Sequence, residues 1–88
     1  MTMVKVQVNF PKEVLIKTGR TKEKVALELK QMMALELYRN GELSFGQAAR
    51  LAEMRHSDFI NFLGKHKVSV FNYTSEELEE ELQDEPLK

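Results

Sequence analysis

His56, Ser57 and Asp58 bring together the three side-chain types of a base, a nucleophile and an orienting acid. They are consecutive, so they leave the backbone in different directions and cannot form a relay. The other histidine, His66, has no cysteine or spaced carboxylate near it that would complete a zinc site, and the chain contains no cysteine at all. Gly41 and Gly46 fall where helices end or begin and do not follow a strand, so they form no phosphate-cradling loop. These residues predict no enzyme, no metal site and no cofactor. What remains is a polar and basic set, Arg55, His56, Ser57, Asn61, Lys65 and Lys67, whose types suit nucleic acid. Arg55, Ser57 and Asn61 are candidates for base edges, where asparagine can pair with adenine, and Lys65 and Lys67 are candidates for phosphates.

The stretch that must position this set is SFGQAARLAEMRHSDFINFLG. Ser44 and Gln47 make a capping box, and Leu43 can staple onto Ala48, so a helix starts at Phe45. Ala48, Leu51 and Ala52 give that helix an inward face, and the alanines let a second helix come close. Ser57 is the expected cap of the second helix, with Phe59, Phe62 and Leu63 inward and Gly64 ending it. Asp58, Asn61 and Lys65 then face outward, with Arg55 and His56 in the turn before them. This is the pattern of a helix-turn-helix. Glu53 occupies the position where such turns hold glycine, which calls for a left-handed backbone. Asp58 sets a negative charge on the face that would meet phosphates. A helical hairpin that only fills a small core is the alternative reading.

Upstream, VKVQVNF alternates Val4, Val6, Val8 and Phe10 with Lys5, Gln7 and Asn9, which predicts a half-buried strand ended by Pro11. Residues 12 to 19 read as a short helical turn or a second extended piece broken by Gly19. Thr21 caps a helix of about 19 residues that stops at Asn40-Gly41. Val25, Ala26, Leu29, Met32, Met33 and Leu37 form its apolar stripe, widened by Leu27, Ala34, Leu35 and Tyr38, with the methionine pair read as core filler. Downstream, KHKVSVFNY predicts a strand able to pair with residues 4 to 10. TSEELEEELQDEPLK opens with a Thr74 and Glu77 capping box and a Tyr73 and Leu78 staple, but Leu78 and Leu82 are its only apolar positions before Pro86. The expected architecture is α+β: an N-terminal strand, a long helix, a helix-turn-helix and a C-terminal strand in residues 1–73, with an acidic tail over 74–88.

Charge divides in the same place. Residues 1–73 carry 12 Lys or Arg against 7 Asp or Glu, a net +5, while 74–88 carry one Lys against 7 acids, a net −6. A basic body is the minimum for holding phosphates, and an acidic tail is a common interaction or solubility device. No apolar run approaches the roughly 18 residues of a membrane helix, and the start has no signal-peptide core. A soluble cytoplasmic protein is expected. At 88 residues the chain forms one thin domain, and the wide apolar stripe over 25–38 predicts a symmetric homodimer.

The run ALELYRNGELSFGQAARLAEMRHSDFINFL, followed by VSVFNY and SEELEEEL, resembles a family of small uncharacterised prokaryotic proteins regarded as antitoxin-like and related in role to VapB antitoxins. The resemblance rests on the LYRNGELS link, the pair Ala48 and Ala49, and Phe59 to Leu63, and it extends over nearly the whole chain. It implies a helix-turn-helix regulator paired with a PIN-domain ribonuclease toxin. The expectation is then a DNA-binding antitoxin or transcriptional regulator that binds operator DNA and neutralises its toxin directly. Leu78, Leu82, Glu77, Glu80 and Glu81 in the tail are the candidates for partner contact. The alternative is a protein-interaction module whose helix-turn-helix is purely structural.

Overall fold

The computed structural model describes residues 2–71, and among them it is all-helical. In chain order the helices are α1 (Lys12–Thr18), α2 (Lys22–Arg39), α3 (Phe45–Leu51) and α4 (His56–Lys65). The expected α+β fold is therefore corrected: among the described residues neither residues 4–10 nor the segment after α4 lies in a sheet. Residues 2–10 form no strand and are exposed on both alternating sets, so the expected half-buried strand is not found; alternation sets only which side chains could share a face, and a strand also needs a neighbour to pair with. The segment after α4 is diverted. The Tyr38 hydroxyl donates to the Phe71 carbonyl and accepts from the Phe71 N–H, and the two rings stack with centroids 4.3 Å apart. A buried side chain thus takes up the backbone groups that a sheet partner would have used. The expected capping box and staple of the acidic tail, with Leu78 and Leu82, lie outside the described residues.

Two of the four helix starts follow local capping chemistry. Thr21 accepts from the Lys24 N–H at 3.1 Å, and Glu23 lies in the first turn of α2, where the macrodipole favours a negative charge. At α3 both halves of the capping box form: Ser44 Oγ accepts from Gln47 N–H at 3.2 Å, and Gln47 Oε1 accepts from Ser44 N–H at 3.0 Å. The start of α4 differs from expectation. Phe59 N–H donates to the Arg55 carbonyl at 2.9 Å, so the extended residue is Arg55 and Ser57 lies inside the helix instead of capping it.

All four helices end in the same way. The backbone enters the left-handed region at Gly19 (φ 70°), Gly41 (φ 78°), Glu53 (φ 58°) and Lys67 (φ 59°). At each, the next residue's N–H reaches five residues back: Arg20 to Leu15 at 3.2 Å, Glu42 to Leu37 at 2.8 Å, Met54 to Ala49 at 3.0 Å and Val68 to Leu63 at 2.9 Å. These are Schellman ends, in which a six-residue loop satisfies carbonyls the helix leaves open. Gly64 does not end α4; it is a helical residue, and the stop comes three positions later, where Val68 packs against the core.

The core lies at one end of the molecule. Its nine buried residues, Ala34, Leu35, Tyr38, Phe45, Ala48, Ala49, Ala52, Phe59 and Leu63, all belong to residues 34–63. Tyr38, Phe45 and Phe59 meet pairwise edge to face, with centroids 5.3 to 6.0 Å apart. Edge-to-face pairs add about 0.5–1.5 kcal/mol each beyond the area they bury. The three alanines bring α3 close to α2 and α4 together. Met32 and Met33, expected in the core, are instead 47% and 57% exposed, because the buried part of α2 begins only at Ala34.

Two substitutions check this account of the helix ends. Ser44→Ala removes the α3 cap and is expected to lower unfolding stability by about 1 kcal/mol in urea titration. Lys67→Gly removes a side chain from a left-handed position at an exposed site and is expected to raise it by roughly 0.5–1 kcal/mol, the conformational relief exceeding the entropy gained by the unfolded chain.

Candidate nucleic-acid interface

The elements that carry the polar set are α3, a four-residue turn over 52–55, and α4. The turn folds because Glu53 takes the left-handed conformation that glycine ordinarily supplies, and α2 braces it from the other side. The Lys30 ammonium pairs with the Glu53 carboxylate, and Gln31 Nε2 donates to the Ala52 carbonyl at 3.4 Å. The Glu53 charge is thereby matched on the α2 side. Inside the turn, Met54 packs against the core, which fixes the path from α3 into α4.

Arg55, Ser57, Asn61, Lys65 and Lys67 are all exposed. Ser57, Asn61 and Lys65 follow one another at intervals of four along α4 and so share a face, opposite buried Phe59 and Leu63. Arg55 stands at the N-terminal end of this row, and Lys67 lies beyond its C-terminal end. His56 is the exception within the set. Its ring lies edge-on to Phe45 with centroids 5.2 Å apart and is half-buried, so it belongs to the packing between α3 and α4 more than to the outward row. Asp58 is exposed in the first turn of α4, where it complements the positive end of the helix dipole.

Two further residues join the site. Arg50 is exposed in the last turn of α3, the helix that crosses the DNA backbone when such a motif docks. Its position follows from the inward assignment of Ala48, Leu51 and Ala52, which leaves residue 50 outside. Lys30 could not be found by local pattern, because its partner Glu53 is distant in sequence. The expected partner-contact residues Leu78, Leu82, Glu77, Glu80 and Glu81 lie outside the described residues. Among the described residues no helix is long and apolar enough to cross a membrane.

Comparison with known proteins locates the chain among relatives. A UPF0175 protein of Archaeoglobus fulgidus is 34% identical over 79 residues, spanning 90% of this chain and 87% of its own length. A UPF0175 protein of Aeropyrum pernix is 29% identical over 79 residues, spanning 90% of this chain and 83% of its own. A second from the same organism is 38% identical over 55 residues, spanning 62% of this chain and 70% of its own. No solved structure matches the chain. The model of the Uncharacterised protein family (UPF0175) matches residues 1–85, and the chain belongs to that family.

Proposed function

We propose that this protein is a DNA-binding regulator, with α4 as the helix that enters the major groove and α3 as the helix that crosses the backbone. The observation that carries the reading is the α3–turn–α4 unit itself: a four-residue turn with its left-handed residue held by Lys30, followed by a helix with Arg55 at its N-cap, Ser57 in its first turn and Asn61 at its middle. A recognition helix meets base edges with its N-terminal residues. Arg50, Lys65 and Lys67 flank that row and suit phosphates. The role is non-enzymatic, and the cellular setting proposed is the cytoplasm, as the antitoxin partner of a ribonuclease toxin of the PIN-domain type. The acidic residues Glu77, Glu80 and Glu81 with Leu78 and Leu82 supply the partner contact in this reading, supported by the change from a net +5 over residues 1–73 to a net −6 over 74–88.

Binding to operator and random DNA at two salt concentrations tests the DNA arm, because affinity built on phosphate contacts falls steeply as salt rises. Asn61→Ala is expected to weaken binding to the preferred site by about 1–3 kcal/mol and relax sequence choice, whereas Lys65→Ala weakens all sequences alike and flattens the salt slope. Parental binding by both variants would remove α4 from the interface. Salt-insensitive or absent binding leaves the helix-turn-helix as a structural unit of a protein-interaction module. Deleting residues 74–88 tests the partner arm: the truncated chain is expected to keep DNA binding and lose neutralisation of its toxin, and full neutralisation would place the partner contact elsewhere.

A further inference from the structure

Residues 2–33 contain no buried residue, although they hold ten of the twelve large apolar side chains exposed on the described chain. Val4 and Val6 are 80% and 77% exposed. Leu29, Met32 and Met33, spaced three and four apart, lie open on α2 ahead of its first buried residue, Ala34. Between Phe10, Val14, Val25, Leu29 and Met32 runs an apolar groove of about 250 Å³. At its rim Arg20 Nε donates to Glu28 Oε1 at 2.6 Å, and this hydrogen bond holds the Glu28 carboxyl below the usual carboxylate range. The backbone of residues 2–10 pairs with no other segment among the described residues. An unpaired segment with alternating apolar residues, beside an apolar helical face, is a half-built layer.

We propose that a second copy of the chain completes it: residues 4–10 of the two protomers pair as an antiparallel ribbon whose apolar face covers α1 and α2 as far as Met33. The occupant follows from the sequence of the strand. About a two-fold axis at Gln7, Val4 faces Phe10, Val6 faces Val8 and Lys5 faces Asn9, so every apolar residue meets an apolar one and no like charges are opposed. The same register keeps all four apolar residues of each strand on one face. Lys5, Gln7 and Asn9 of both strands then form the opposite face. These are side chains that reach phosphates and base edges, and a two-stranded ribbon fits the major groove. The ribbon is accordingly a second DNA-contact row, complete only in the dimer; this part rests on the DNA-binding reading above.

The chain has no cysteine, so Gln7→Cys introduces a single thiol. In the paired ribbon the two copies of residue 7 stand directly opposite, within disulfide reach. Mild oxidation is expected to give a covalent dimer of Gln7→Cys and little of a control, Glu42→Cys, in the exposed link between α2 and α3. Sedimentation of the parent chain should show a dimer, and Val6→Lys with Val8→Lys should show a monomer with unchanged helical circular dichroism, since neither residue belongs to the core. A monomeric parent, a dimeric double variant or equal cross-linking of both thiol variants overturns the ribbon. Lys5→Ala with Asn9→Ala is expected to remain dimeric and bind DNA several-fold more weakly; unchanged affinity overturns the outer row. Cross-linking of Gln7→Cys together with a dimeric parent that binds no DNA retains the ribbon and discards the DNA reading, while a parent that binds DNA as a monomer does the reverse.

Discussion

The contact of Tyr38, Phe45 and Phe59 with one another holds the folded half together. Each ring comes from a different helix, α2, α3 and α4, and each meets the other two edge to face. Of nine buried residues four are alanines, and the three rings are, with Leu63, the largest side chains that are fully buried. The alanines act by being small: they let α3 approach both neighbours closely enough for the rings to touch. The Tyr38 hydroxyl extends the same cluster outward by fixing the Phe71 backbone, so the ring that centres the core also determines where the chain leaves it.

Because Tyr38 lies near the C-terminal end of α2, the rest of that helix projects away from the core. Its second half buries Ala34, Leu35 and Tyr38, and its middle sends Lys30 and Gln31 to the turn between α3 and α4. Ahead of Ala34, Glu28 pairs with Arg20 in the link after α1, and Leu29, Met32 and Met33 stay open. One helix therefore joins a part of the molecule with a complete interior to a part without one. The breadth of apolar positions along residues 25–38 has two separate causes: residues 34–38 serve the internal core, whereas Leu29, Met32 and Met33 do not.

That division also explains what could be read from the sequence. The capping box at Ser44, the cap at Thr21 and the stop at Asn40-Gly41 were legible because each depends on residues a few positions apart. The outward row Ser57, Asn61 and Lys65 was legible because Phe59 and Leu63 set its opposite face. The strands were not. Alternation over residues 4–10 reports two dissimilar faces, but whether a neighbour lies alongside depends on the rest of the fold, and the backbone of Phe71 was taken by a tyrosine 33 positions away. The end of α4 was misplaced to Gly64 because glycine is the usual marker of a left-handed stop, and here the stop falls on Lys67. Pattern alone places His56 in the turn and in the DNA-contact set, and it does not reveal that the ring packs on Phe45.

Glu53 shows how an unfavourable residue can hold a decisive turn. A left-handed backbone costs a residue with a Cβ roughly 1–2 kcal/mol, and the exposed ion pair with Lys30 returns at most about 1 kcal/mol. The ion pair alone does not offset the strain. The remainder comes from the Schellman hydrogen bonds, Glu53 N–H to Arg50 at 3.1 Å and Met54 N–H to Ala49 at 3.0 Å, together with the packing of Met54 against the core. A glycine would relieve the strain but leave nothing for Lys30 to bind. With glutamate, the turn is tied to α2 by a side chain, and the negative charge that would oppose a phosphate on the α4 side is paired with Lys30. The residue that departs from the usual pattern of such turns thus both closes the turn and fixes the position of α4 relative to the long helix.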